Sequence, residues 1–145
     1  MKTRIKWVAG VSFVGESGSG HAVVVDGAPE HGGRNLGMRP MEMLLTGAAA
    51  CTAFDVVSIL KKGRHAVADV AVTVDAERSA VPPRVFTALH YVYTVAGRGL
   101  DPRQVERAVA LSKEKYCSAT IMLAKTATIT YEIVIVDGDR VPDPA

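Results

Sequence analysis

The sequence predicts an α+β protein of order ββ-α-ββ-α-β, built mainly from antiparallel strands around one long helix. Two observations carry the prediction. Short runs rich in Val, Ile and aromatic residues come in pairs joined by Gly- or Pro-containing turns, which is how hairpins read. Two segments with helical spacing and marked ends separate those pairs, and no repeated strand-helix-strand unit appears. With 145 residues, 48% hydrophobic content and 22% charge, one globular domain over 1–145 is expected.

The first pair is expected at 3–14 and 21–26, joined by Gly-Glu-Ser-Gly-Ser-Gly, whose glycines permit a hairpin turn. Arg4-Ile5-Lys6-Trp7 alternates polar with apolar residues, so the opening reads as a half-buried strand and not as a secretory signal. Residues 27–40 hold glycines and prolines too densely for a regular element and form a loop.

The long helix opens at Pro40, whose fixed φ and missing N–H suit a first helical position. It ends at Gly63, after Lys61 and Lys62 placed against the negative end of the helix dipole. Nearly every residue between is apolar or small, which predicts cover on almost all sides, more than one chain of this length supplies; a second subunit packed on Thr46–Cys51 is expected. No run is read as reaching the roughly 18 apolar residues of a membrane span. A second strand pair at 67–77 and 85–96 follows, linked by Arg-Ser-Ala-Val-Pro-Pro-Arg. Asp101-Pro102 then caps an amphipathic helix that runs to Tyr116-Cys117-Ser118, and after a short turn a last strand occupies 126–136.

The net charge of +2, from 17 basic and 15 acidic residues without clusters, argues against nucleic acid or an anionic membrane as partner and leaves small molecules or proteins. The four histidines share no spacing with cysteine or carboxylate such as a zinc site requires, so no metal is expected, and Gly15–Gly20 joins two strands instead of opening a helix, so no dinucleotide is. The chemistry rests on Cys51 and Cys117. Two such cysteines in a cytoplasmic protein are free thiols or a redox pair. Within an apolar helix Cys51 is by itself compatible with plain packing. Cys117, after Lys113 and Lys115, reads as the more exposed sulfur.

The segments RPMEMLLTGAAACTAFDVVSILKKG and LSKEKYCSATIMLAKTATITYEI, with the element order, resemble the OsmC/Ohr family of osmotically inducible and organic-hydroperoxide-resistance proteins over nearly the whole chain. The resemblance is carried by the proline 11 residues before the first cysteine, the small-residue segment leading into that cysteine, and a second cysteine just beyond the second helix. It implies an intertwined homodimer and a thiol-dependent peroxidase without cofactor. Cys51 would be the peroxidatic thiol acting on an organic hydroperoxide, Cys117 the resolving thiol, and an external dithiol the reductant.

In the hydroperoxidase members a glutamate directly follows the helix-opening proline and orients an arginine from the early hairpin over the reactive sulfur. Here Met41 holds that place, Glu42 lies one position on and so about 100° around the helix, and the hairpin turn has no arginine. Arg34 and Arg39, in the loop before the helix, are the replacement candidates. Two other readings fit the same fold: a binding protein whose apolar pocket, lined by Met38, Met41 and Met43, holds an apolar or thiol-bearing ligand, and a thiol redox sensor.

Overall fold

A computed structural model describes residues 1–143. The chain forms two compact units, Met1–Thr46 and Gly47 onward. The first unit is a three-stranded antiparallel meander of β1 (Thr3–Ala9), β2 (Ser12–Ser17) and β3 (Ala22–Val25). One strand was expected over 3–14. The chain instead reverses at Gly10, which adopts φ +55°, and the Trp7 indole donates to the Gly10 carbonyl at 2.8 Å to close the turn. Apolar residues on both sides of Gly10 make two short strands look like one.

Asp26 organises the loop that follows. Its carboxylate accepts from Leu36 N–H (3.0 Å), Ser12 Oγ (2.7 Å), Arg34 N–H (2.9 Å) and Gly27 N–H (2.9 Å). These donors, led by Leu36, hold its pKa down to about 2 against the opposing effect of burial. A buried carboxylate thus supplies the acceptors that a loop without regular structure lacks. The chain also passes itself closely here: a Cβ on Gly37 would clash with the Val24 carbonyl.

Helix α1 spans Pro40–Lys62, as the sequence indicates, and the division between the units falls within it. At its start Glu42 reaches back to Arg39, accepting from the backbone N–H at 3.0 Å and the guanidinium at 3.1 Å, which is one half of a capping box. At its end His65 N–H bonds to the Leu60 carbonyl and Arg64 N–H to that of Lys61, each at 3.0 Å. This is a Schellman ending whose left-handed residue is Arg64 (φ +59°), one place after the glycine the sequence marks.

Ala48, Thr52, Val56 and Leu60, four residues apart, form the only fully buried row of α1, while Leu44 and Phe54 stay 47% and 72% exposed. Within one chain the helix is therefore not covered on nearly all sides. By length and composition α1 is also long and apolar enough to cross a membrane, contrary to expectation. Its buried row, however, is tied by hydrogen bonds to polar side chains of the second unit, as core helices are.

The second unit's sheet has the order β4 (Val67–Arg78), β5 (Phe86–Gly97), β6 (Thr128–Val136). β4 and β5 are antiparallel, and β6 runs parallel to β5, from Ala88 beside Thr128 to Ala96 beside Val136. The helical segment between β5 and β6 carries the chain back to start the last strand in the same direction. That segment comprises α2 (Pro102–Leu111), capped by the Asp101 carboxylate, then one wider π-type turn over Ser112–Tyr116, a break at Cys117, and α3 (Ser118–Leu123). Leu89, Tyr91, Tyr93 and Val95, alternate residues of β5, are buried on one face. The α+β class and the mainly antiparallel pairing are as expected.

Candidate active site

The second unit brings the two cysteines together. Both are free thiols. Cys117 is fully buried, which overturns its expected exposure, whereas Cys51 is half-buried and so the more open sulfur. The lysines that pointed to an exposed Cys117 are engaged elsewhere: Lys113 Nζ lies 4.4 Å from the Tyr131 ring centroid and Lys115 Nζ 5.4 Å from that of Tyr116.

Cys117 caps the first turn of α3, accepting from Thr120 N–H at 3.4 Å with the Thr120 hydroxyl at 3.1 Å. Burial pushes its pKa up, the two Thr120 contacts oppose this, and the Cys51 thiol, by hydrogen bonding and charge, adds to the rise. The sulfurs are thus neighbours, although no well-formed hydrogen bond links them. Near neutral pH Cys117 is held as a thiol.

Tyr91 completes the cluster. It is fully buried on β5, and its hydroxyl has no hydrogen-bond partner among the described residues. Burial raises its pKa, the Thr120 hydroxyl partly opposes the shift, and Cys117 and Cys51 both add to it. Thr120 acts on the phenol without closing a well-formed bond to it.

Behind the thiols runs a continuous hydrogen-bond chain. Tyr93 Oη and Thr52 Oγ1 are 2.9 Å apart, Thr52 Oγ1 and Ser112 Oγ 2.9 Å, and Ser112 donates to Asp55 Oδ2 at 2.9 Å. Donor counting fixes its direction when Asp55 is ionised. Ser112 spends its one proton on the carboxylate, so Thr52 must donate to Ser112 and Tyr93 to Thr52. Burial, offset in part by Thr52, pushes the Tyr93 pKa up to about 12, so Tyr93 remains a donor across the working pH range. The chain fixes α1, through the residue next to Cys51, against β5 and the π-type turn.

The supporting residues named from sequence have other partners. Glu42 and Arg39 bind each other at the helix start, and the Arg39 N–H, then the guanidinium, hold the Glu42 carboxylate below its ordinary pKa. Arg34 bonds through its backbone N–H to Asp26, and its guanidinium forms no ion pair among the described residues. Met38, an exposed residue whose sulfur accepts from Thr46 Oγ1 at 3.7 Å, lies in the first unit with half-buried Met41 and Met43. No group of three or more His, Cys, Asp or Glu side chains placed to hold a metal ion occurs among the described residues. Sequence reading missed Tyr91, Thr120 and the Thr52–Ser112–Tyr93 chain. The Cys-x-x-Thr spacing at 117–120 is a capping signal that could have revealed Thr120.

An α+β fold that pairs a half-open thiol on its long helix with a buried thiol at the start of a short one defines a dithiol protein. The family described as "OsmC-like protein" matches residues 32–132, and the chain belongs to that family. Protein YhfA of Escherichia coli (strain K12) is 48% identical over 139 residues, covering 92% of this chain and 98% of the relative. Among solved structures, an OsmC-like protein from Mycoplasma pneumoniae superposes with a TM-score of 0.80 at 16% identity, covering 93% of this chain and 96% of that one. An organic hydroperoxide resistance protein OsmC from Legionella pneumophila gives a TM-score of 0.67 at 20% identity, over 92% and 97%. At these identities the two structures show a shared fold.

Proposed function

We propose that the protein is a homodimeric, cytoplasmic thiol peroxidase that reduces organic hydroperoxides in oxidative-stress defence, with Cys51 peroxidatic and Cys117 resolving. The observation that carries this is the pairing of an accessible thiol with a buried one beside it. The names of the hydroperoxide-resistance neighbours point the same way. The Cys51 thiolate attacks the distal oxygen of the hydroperoxide; the S–O bond forms, the O–O bond breaks, and the alkoxide leaves as alcohol after taking a proton. Cys117 attacks the Cys51 sulfur of the sulfenic acid, the S–S bond forms as the S–O bond breaks and water leaves, and an external dithiol reduces the disulfide by exchange. The unshared apolar surface of α1, with Phe54 and Leu44 exposed, supports burial against a second copy.

The test is consumption of cumene hydroperoxide with several dithiol reductants, on wild type and Cys51→Ser. Turnover in the wild type and its loss in Cys51→Ser are expected. Turnover that survives Cys51→Ser overturns the assignment, and no consumption with any reductant returns the fold to a binding or sensing role.

A further inference from the structure

Asp55 is the one charged residue of α1 between Glu42 and Lys61, and aspartate is a poor helix former at such an interior position. It forms no ion pair among the described residues. Its partner is the buried Ser112, whose hydroxyl donates to Asp55 Oδ2 at 2.9 Å. Ser112 in turn holds Cys117. In an ordinary α-turn the Cys117 N–H would bond to the Lys113 carbonyl, but the wider turn sends it to the Ser112 carbonyl at 2.8 Å. One residue thus grips α1 with its side chain and Cys117 with its backbone.

We propose that Asp55 and Ser112 are positioning residues for the two thiols: their hydrogen bond clips the turn that ends in Cys117 onto the stripe of α1 that carries Cys51, and so favours the disulfide over the open dithiol. This rests on the dithiol reading above and deepens it. Cys51 lies four residues before Asp55, which puts the two side chains on one helix stripe with Cβ atoms roughly 5–6 Å apart. Thr52, next to Cys51, meets the same Ser112 hydroxyl at 2.9 Å. Two side chains of α1 therefore converge on Ser112, with Cys51 one turn from the first and adjacent to the second.

The consequence is read in the equilibrium between dithiol and disulfide. Joining two sulfurs is easier when the elements that carry them are already held in place, because less freedom is lost when the bond forms. With glutathione disulfide as oxidant, the more open Cys51 attacks it and releases one glutathione thiol, and Cys117 then attacks the mixed disulfide and releases the second. Two protein thiols and one glutathione disulfide become one protein disulfide and two glutathione thiols. A contact that only supports the fold stabilises both protein forms alike and leaves this equilibrium where it was, whereas a clip between the two thiol-bearing elements shifts it.

The experiment equilibrates wild type, Asp55→Ala, Asp55→Asn and Ser112→Ala in glutathione buffers of graded ratio and reads the disulfide fraction by mass after thiol alkylation. Asp55→Ala and Ser112→Ala should lower the equilibrium constant for the disulfide about tenfold, a potential about 30 mV less negative for this two-electron couple. Asparagine keeps a carbonyl acceptor for the Ser112 hydroxyl, so Asp55→Asn should stay close to wild type. Asp26→Asn, which loosens the first unit, should leave the potential unmoved. Unmoved potentials in Asp55→Ala and Ser112→Ala overturn the proposal, as does a shift to more negative values, which would mean that the contact holds the sulfurs apart. A shift in Asp55→Asn equal to that in Asp55→Ala also overturns it, by assigning the effect to charge. Hydroperoxide turnover with unmoved potentials removes only the clip, and shifted potentials without turnover remove only the peroxidase reading. A wild type that forms no Cys51–Cys117 disulfide at any ratio removes both.

Discussion

Replacing Thr52 with valine tests the directed hydrogen-bond chain, because valine keeps the volume of threonine and removes only its hydroxyl. Thr52 is fully buried and links two groups, accepting from Tyr93 and donating to Ser112, each at 2.9 Å. Losing two neutral hydrogen bonds costs about 1 kcal/mol each. The Tyr93 hydroxyl is then left as a buried donor with no acceptor, adding about 1–2 kcal/mol. The total is about 3–4 kcal/mol, or roughly 10 °C in Tm for a chain of this size. Tyr93→Phe breaks the chain only at its head, leaves Thr52 donating to Ser112, and should cost about 1 kcal/mol. In that background Thr52→Val no longer orphans a donor and the shared bond is lost only once, so the double variant should be about 2–3 kcal/mol more stable than the sum of the singles. Urea unfolding at one fixed protein concentration measures all four proteins, since association would otherwise shift the midpoint. Equal costs for the two single variants, or simple additivity, would refute the assigned direction.

The Asp26 carboxylate has a folded pKa of about 2, below its ordinary value of 3.8, so its contribution is complete above that ordinary value and is lost as pH falls through about 2. Thermal melts from pH 7 to pH 2 should show wild type losing stability across the acid range while Asp26→Asn, already destabilised, changes less; parallel curves would contradict this. Gly47 faces open space within the chain, whereas Ala48 is fully buried in it. Gly47→Leu should therefore leave the protomer folded but weaken its association, and sedimentation should shift from a dimer toward a 15.4 kDa species. A wild-type protein that already sediments at 15.4 kDa at micromolar concentration would sink the dimer.

Local chemistry made much of this protein legible from sequence. Pro40 and Gly63 bracket α1, Asp101-Pro102 starts α2, and the strand pairs at 67–78 and 86–97 announce themselves through β-branched and aromatic residues, because each signal acts within a few residues of itself. The spacing of Cys51 and Cys117 within recognisable segments was enough to indicate the family. Gly10 went unread as a turn because the apolar residues around it carry no sign of which neighbour they pair with. The exposure of Cys117 was misjudged for a related reason: lysines nearby in sequence point to other rings in space, and burial is a property of what the rest of the chain places there. Tertiary structure alone decided that Thr52, Ser112 and Tyr93, from three separate elements, share one chain of protons. It alone buried the Tyr91 hydroxyl without a hydrogen-bond partner among the described residues. Hydrogen bonds across 41 and 60 residues of sequence have no local signature, since neither partner needs any particular neighbour along the chain for the bond to form.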